Sequence, residues 1–536
     1  MTRQSGPAPS LSAGCTSTPA LSRNLPVRSA HRSNLKIIPV MKPSLRSRPG
    51  APLRERFPRP VMKEAGRLGS SIPERDLTNR TDCRSHPVIT IDPDSALDFD
   101  DAFSLRKTNR GDWDLRIHIA DVSHYVKPGS ALDREARTRG NSTYLADRVI
   151  PMLPESLSND LCSLLPGVNR LTKCVEILLS PEGRVLRTRF SPAVIRSRRR
   201  YTYQQAMAII SGKARNRLDR MIQDADQLAR KLRARRLRSG SLEFSSPETF
   251  LRLDRQGRIT SIEQVTNDRS HQLIEEFMLL ANETVATRLT QLQRPTLHRV
   301  HEHPDPRRLQ EFRNTLRLHR IPCGDLNDRK ELQRLMERLD KSSAGPALRI
   351  GFLRTLPRAR YTTHPLGHYG LAKEYYGHFT SPIRRYADLL VHRALFDSIT
   401  TRPKELKKVA THLSSTERAS SEAERDSKRS RLCAYLKSEA RRDNPRIWTG
   451  LVTEVSHFGI FVDIEELGMS GLIPRRLLNK RTYGLNPARQ QALNRRSNRL
   501  IKLGSHLRLT VARVDSTRHR IDFALAHGAS LRRSGK

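Results

Sequence analysis

The chain has 536 residues, room for two to four domains, and carries 98 Lys and Arg against 55 Asp and Glu, a formal net charge of +43. An excess of that size points to a polyanionic partner, nucleic acid before an anionic membrane surface. No apolar run approaches the roughly 18 residues a membrane-spanning helix needs, and the six cysteines (15, 83, 162, 174, 323, 433) show no Cys-x-x-Cys spacing, which argues against structural zinc and for a reducing compartment.

Residues 1–73 are rich in Ser, Pro and Arg, and the first 50 contain no Asp or Glu. With no hydrophobic period the segment is read as disordered and basic. A basic RNA-binding tail and a start codon assigned upstream of Met41 or Met62 explain it better than an organellar transit peptide, whose amphipathic helix the many prolines oppose. Ordered sequence is expected from Glu74 onward.

The alternation at 88–91 predicts a strand, as does that at 113–120. Residues 132–139 read as a short helix, and 149–152 as an extended segment. Residues 174–190 read as a hairpin around Pro181-Glu182-Gly183. A long helical pattern starts at Tyr203 and stops before Gly240. Apolar residues at helical spacing (Leu273, Phe277, Leu280, Val285) predict another helix, a third is expected over 383–399 after Ser381-Pro382, and a charged one over 406–440. Strands followed repeatedly by helices predict a mixed α/β catalytic body over 74–443. Five short strands over 444–527 predict a small closed barrel of the OB type, with a short tail at 528–536.

Two stretches carry chemistry. In ITIDPDSALDFDDAF, five aspartates (Asp92, Asp94, Asp98, Asp100, Asp101) follow a strand within ten residues. Carboxylates so close repel one another unless a cation sits among them, and Mg²⁺ takes one or two carboxylates and completes its shell with water and phosphate. The plainer alternative is an acidic loop of Asx-turns. In HFTSPIRRY, Ser381-Pro382 predicts a helix start where Arg384 or Arg385 could grip a phosphate, although in so Arg-rich a chain a solvated face is the plainer reading. On the barrel, Phe458 and Phe461 beside glycines suit base stacking, or else fill the barrel interior. His118, His124, His368 and His378 lack metal-ligand spacing and are read as structural.

These stretches, together with HIADVSHYV, LDREARTRGNSTYL, VIPMLPESLSNDLCSL and HFTSPIRRYADLLVHR, resemble the catalytic domain of the ribonuclease R and ribonuclease II family, processive 3′-to-5′ exoribonucleases. The barrel is similar to the OB-fold RNA-binding domain, of the ribosomal-protein S-one type, that closes that family's chains. The resemblance runs over roughly 74–526. It implies that Asp92, Asp98 and Asp101 hold Mg²⁺, that loss of Asp100 stops cleavage, and that Arg384 contacts the scissile phosphate. It further implies that Tyr144 and Phe244 clamp the 3′-terminal base and that Tyr203 and Glu275 read the ribose 2′-OH.

The expected activity is Mg²⁺-dependent hydrolysis of single-stranded RNA to 5′-mononucleotides by a cytoplasmic monomer. Two cold-shock domains usually precede the family's catalytic body, and a lysine-rich tail often follows it in ribonuclease R. Neither is expected here, so capture of long substrates should be weaker. The basic N-terminus and the basic stretch 475–502 are expected to replace part of that surface. Two rival readings use the same residues: an RNA-binding protein that kept the fold and lost the activity, and a trimming enzyme for a restricted set of RNAs. The intact set Asp92, Asp98, Asp100, Asp101 and Arg384 argues against the first.

Overall fold

The computed structural model describes residues 53–69, 71–243, 248–397, 401–479 and 481–526. A seven-stranded sheet organises the first part, with neighbours in the order Thr81–Asp82, Val185–Arg196, Asn169–Leu179, Trp113–Ala120, Asp101–Lys107, Ile89–Asp92 and Arg199–Thr202. The pairs at its two edges are parallel and those between are antiparallel. Strands Ile89–Asp92 and Trp113–Ala120 are buried almost throughout, because helices cover both faces of the sheet. On one face Phe103, Ile117 and Ile177 pack against helices Tyr203–Ser211, Arg217–Arg238 and Arg269–Gln291. On the other, Ala102, Ala120 and Cys174 share a core with helices Ala131–Arg139 and Pro403–Glu439.

Helix Pro403–Glu439 is a strut of 37 residues, about 55 Å at 1.5 Å per residue. Leu406, Val409 and Leu413 near its start lie in the catalytic core, and Leu432, Cys433 and Leu436 near its end lie in the core of the barrel. The barrel closes through strands Trp448–Ser456, Gly459–Ile464, Met469–Pro474, Arg520–Leu525 and His506–Asp515. Gly459 is required there: its φ is +148°, and a Cβ would meet the Ile473 carbonyl oxygen at 2.1 Å.

Several expectations change. Helix Arg59–Gly66 stands inside the stretch read as disordered, and buries Val61 and Ala65 against the catalytic core; residues 1–52 lie outside the described residues, as do 527–536. The helical pattern from Tyr203 is two helices, since the first ends at Gly212 and Asn216 caps the second by accepting from the Asp219 amide. Helix Tyr386–His392 starts three residues later than expected, and continues as a wider turn through Asp397. Helices Pro306–Leu318, Arg329–Asp340 and Gly345–Leu353 form a further helical unit with its own core, which the reading above does not contain. The basic stretch 475–502 includes a small antiparallel sheet, Tyr483–Asn486, Gln491–Asn494 and Arg499–Lys502.

One buried network ties these layers together. Asp121, fully buried after strand Trp113–Ala120, accepts from Arg80 Nη2 at 2.8 Å and Ser123 Oγ at 2.8 Å, with Lys173 Nζ at 3.5 Å. Burial pushes its carboxyl up, but Lys173 and Arg80 together pull it down to about 2. Asp121→Ala leaves two buried cations without this partner and should lower unfolding free energy by about 3–5 kcal/mol in a denaturant titration at pH 7. Because the folded carboxyl titrates below the unfolded one, that contribution is complete above about pH 4 and disappears as pH falls through about 2.

Candidate active site

Strand register sets the acidic cluster. Ile89–Asp92 runs antiparallel to Asp101–Lys107, with Ile89 opposite Phe103, so Asp92 ends one strand where Asp101 begins the next. The loop between them is pinned from below. The Phe99 amide donates to Ser163 Oγ at 3.0 Å, Ser163 Oγ donates to the Leu97 carbonyl at 2.8 Å, and the Ala120 amide donates to the Asp100 carbonyl at 2.9 Å. Asp92 and Asp100 are buried and Asp98 and Asp101 half-buried. Asp94 points away, its side chain 85% exposed beside Arg200.

The turn before helix Tyr386–His392 closes on this loop. The Ile383 amide donates to Asp100 Oδ1 at 2.9 Å, and Arg384 Nε stands 3.7 Å from Asp100 Oδ2. Among the described residues the Arg384 side chain is otherwise held only by Ser381 Oγ at 3.1 Å, and it is 45% exposed. Arg385, expected at the phosphate, is instead spent on Asp388, donating through Nε at 2.9 Å and Nη2 at 2.7 Å. Asp388 also accepts from the Ser381 amide, which is why the chain turns through 382–385 before becoming helical. The neighbouring strand end supports the turn: the Ser142 amide donates to the Arg384 carbonyl, and the Tyr386 amide to that of Gly140. Gly140 has φ +75°, and a Cβ there would sit 2.2 Å from Thr416 Oγ1.

Burial and crowding show in the protonation of the cluster. Burial first, and the charge of Asp101 second, raise Asp92 to about 8. Burial raises Asp101 to about 6 against the pull of Arg384 and Arg385. Asp98 and Asp100 are pushed up in the same way, Asp100 strongly. Asp92 Oδ2 and Asp100 Oδ2 are buried without a hydrogen-bond partner. Orphaned oxygens on crowded acids fit a divalent cation. Among the described residues no group of three or more His, Cys, Asp or Glu side chains is placed to hold a metal ion, so a divalent cation here would draw much of its shell from water and phosphate.

The other expected residues divide. Tyr144 is 37% exposed, its hydroxyl 3.4 Å from Asp98 Oδ2 and its amide bonded to Glu424 on the long helix at 2.8 Å. Tyr203 follows Thr202, the register partner of Asp92; burial and then the charges of Asp101 and Asp92 raise its hydroxyl. Glu275 is exposed on helix Arg269–Gln291, with Asn267 Nδ2 at 3.2 Å from Oε2. Phe244 lies outside the described residues. Phe458 is 76% exposed, and Phe461 is half-buried between the buried Ile460 and Val462, so neither fills the barrel interior. Among the described residues the two make no ring contact, and no hydrogen bond or ion pair links them to the aspartates. Of the four histidines His118 is buried and His124, His368 and His378 are half-buried; His118 bonds Thr172 Oγ1, and His378 bonds the Tyr361 hydroxyl. Sequence reasoning missed Ser163, the Ile383 amide, Asp388 and Glu424. The spacing of Asp388, three residues after Arg385, was a usable signal, whereas Glu424 looked like any acid on a charged helix.

Crowded acids at the end of a sheet, an arginine facing them and a barrel beyond define a nuclease-type catalytic body joined to a nucleic-acid-binding domain. The RNB domain family matches residues 80–401, more than half of the chain, and the S1 RNA binding domain matches 446–526. Ribonuclease R of Thermotoga maritima is 39% identical over 494 residues, covering 88% of this chain and 68% of that protein; ribonuclease R of Aquifex aeolicus is 35% identical over 483 residues with the same coverage. Mycoplasma genitalium RNase R, solved with ribose methylated single-stranded RNA, superposes with a TM-score of 0.81 at 28% identity, covering 88% of this chain and 76% of that one. The chain belongs to the ribonuclease R family, and it is a 3′-to-5′ exoribonuclease.

Carboxyls raised by folding bind more protons folded than unfolded between pH 4 and 8, so stability falls as pH rises through that window. Thermal melts in EDTA should therefore show a melting temperature that drops from pH 5 to pH 8, and Asp92→Asn should flatten most of that slope.

Proposed function

We propose that the chain hydrolyses single-stranded RNA processively from its 3′ end to 5′-mononucleotides, in a Mg²⁺-dependent reaction, as a monomer in the cytoplasm. The observation that carries this reading is the set of crowded carboxyls at Asp92, Asp98, Asp100 and Asp101, two of them with buried unpartnered oxygens, facing a partly exposed Arg384. Asp92, Asp98 and Asp101 are the residues that would hold Mg²⁺. The bound ion supplies a low-pKa water and positive charge beside the phosphate.

The protein's own groups do the rest. Arg384 reaches the non-bridging oxygens of the scissile phosphate and balances charge as it develops. Asp100, fixed by the Ile383 amide, keeps Arg384 aimed and accepts from the attacking water. In-line attack on phosphorus breaks the P–O3′ bond, leaving a 3′-hydroxyl on the shortened chain and phosphate on the released nucleotide. Tyr144 stacks on the terminal base, a contact that tolerates any base and suits a degradative enzyme. Tyr203 and Glu275 meet the ribose 2′-OH. Arg385, through Asp388, shapes the turn that presents Arg384. The single-stranded RNA held by the Mycoplasma relative supports the choice of substrate. The free thiols at Cys83, Cys162, Cys174, Cys323 and Cys433 are in keeping with a reducing compartment.

The basic stretch 475–502, with nine Lys and Arg and no Asp or Glu, offers a phosphate-binding surface beside Phe458. Replacing Arg489, Arg495 and Arg496 by Ala should flatten the plot of log affinity against log salt by about 2, from roughly 0.7 per phosphate contact on a single strand. An unchanged slope removes this surface from the RNA path.

The direct test uses 5′-labelled single-stranded RNA. Wild type with Mg²⁺ should shorten it stepwise to a small 5′ remnant, while EDTA or Asp100→Asn leaves it intact. Binding without shortening in all three reactions would make this an RNA-binding protein instead.

A further inference from the structure

Tyr203 opens a helix directly after Thr202, the strand partner of Asp92, and among the described residues its hydroxyl makes no hydrogen bond to protein. What fixes its ring is a plate. The imidazole of His271 lies parallel to it, centroids 3.9 Å apart and planes at 16°. A flat partner fixes the tilt of a tyrosine while leaving its hydroxyl free for a ligand, which a hydrogen bond to that hydroxyl would not.

His271 is itself tightly held. Its Nδ1 stands 2.7 Å from Asp268 Oδ1, which makes Nδ1–H the donor and fixes the ring. Asp268 caps helix Arg269–Gln291, accepting also from the Ser270 amide at 3.0 Å, Ser270 Oγ at 2.6 Å and the His271 amide at 3.3 Å. One turn further along the same helix is Glu275, whose Oε2 receives Asn267 Nδ2 at 3.2 Å. Residues 267–275 thus hold, from one helix start, both groups placed to meet the ribose.

We propose that His271, clamped by Asp268 and stacked on Tyr203, is a positioning residue for ribose discrimination, setting the angle at which Tyr203 meets the 2′-OH of the terminal nucleotides. The proposal rests on the reading of Tyr203 given above. Positioning through a layer behind the contact residue is a general requirement of selective sites, and the 2′-OH is what separates RNA from DNA. Sequence order hides the arrangement, since 68 residues separate the two rings.

The test is single-turnover shortening of two 5′-labelled oligonucleotides, one all-ribose and one with 2′-deoxyribose at its two 3′-terminal positions. The quantity read is the ratio of their rates, with the melting temperature followed in parallel. Wild type should favour the all-ribose strand. His271→Ala should lower the ratio roughly tenfold, the value of about one hydrogen bond, by slowing the all-ribose strand alone. His271→Phe, which keeps a flat face, should restore most of it. A merely structural role would slow both strands together and leave the ratio unchanged, which overturns the proposal; so does a His271→Phe variant no better than His271→Ala. Tyr203→Phe separates the two layers. If it keeps the wild-type ratio, the reading of Tyr203 fails. If it lowers the ratio while His271→Ala does not, only the positioning role fails.

Discussion

Acidic side chains crowded into a partly buried space constrain everything around them. Asp92, Asp98, Asp100 and Asp101 stand where two neighbouring strands end, in a chain that carries an excess of 43 positive charges. Left to itself the arrangement is unfavourable: burial and mutual repulsion hold protons on carboxyls that would ionise freely in water. The surrounding structure keeps it in place. Sheet register fixes Asp92 and Asp101, Ser163 anchors the loop from below, and the Ile383 amide with Arg384 closes it from above. Strain of this kind concentrates at sites whose chemistry needs it, and here a cation and a phosphate are the groups that would relieve it.

Farther out, the architecture extends this logic to a long substrate. Helix Pro403–Glu439 buries its beginning in the catalytic core and its end in the barrel. Along the way it meets the site, since Ser420 and Glu424 bind the segment that carries Tyr144. The same helix therefore seats Tyr144 and supports the domain that carries the exposed Phe458. Charge separates the two regions: acid is concentrated at the sheet end around Asp92 and Asp101, and base is spread over 475–502.

Local signals carried well from sequence to structure. The aspartates, the strands around them, the hairpin at Gly183 and the five barrel strands depend on short-range alternation and turn residues, and the structure contains them. Arg384 was legible beside Ser381-Pro382, but its separation from Arg385 was not, because it depends on Asp388 folding back across the turn. The break at Gly212 was hidden by a continuous helical pattern, and only Gly212 itself and the cap Asn216 mark it. Helix Arg59–Gly66 was lost in a proline- and arginine-rich composition, although Val61 and Ala65 stand one turn apart. The stacking of His271 on Tyr203 joins residues far apart in the chain, and no local pattern announces such a contact.

A divalent cation among Asp92, Asp98 and Asp101 would relieve the crowding of the cluster. Melting temperature at pH 8, followed as Mg²⁺ is added to the metal-free protein, tests it most directly, because a ligand that binds only the folded state stabilises it by mass action. Wild type should become more stable with rising Mg²⁺, and a variant carrying both Asp92→Asn and Asp101→Asn should not respond. A wild-type protein whose melting temperature ignores Mg²⁺, or a double variant that responds as wild type does, would contradict the account.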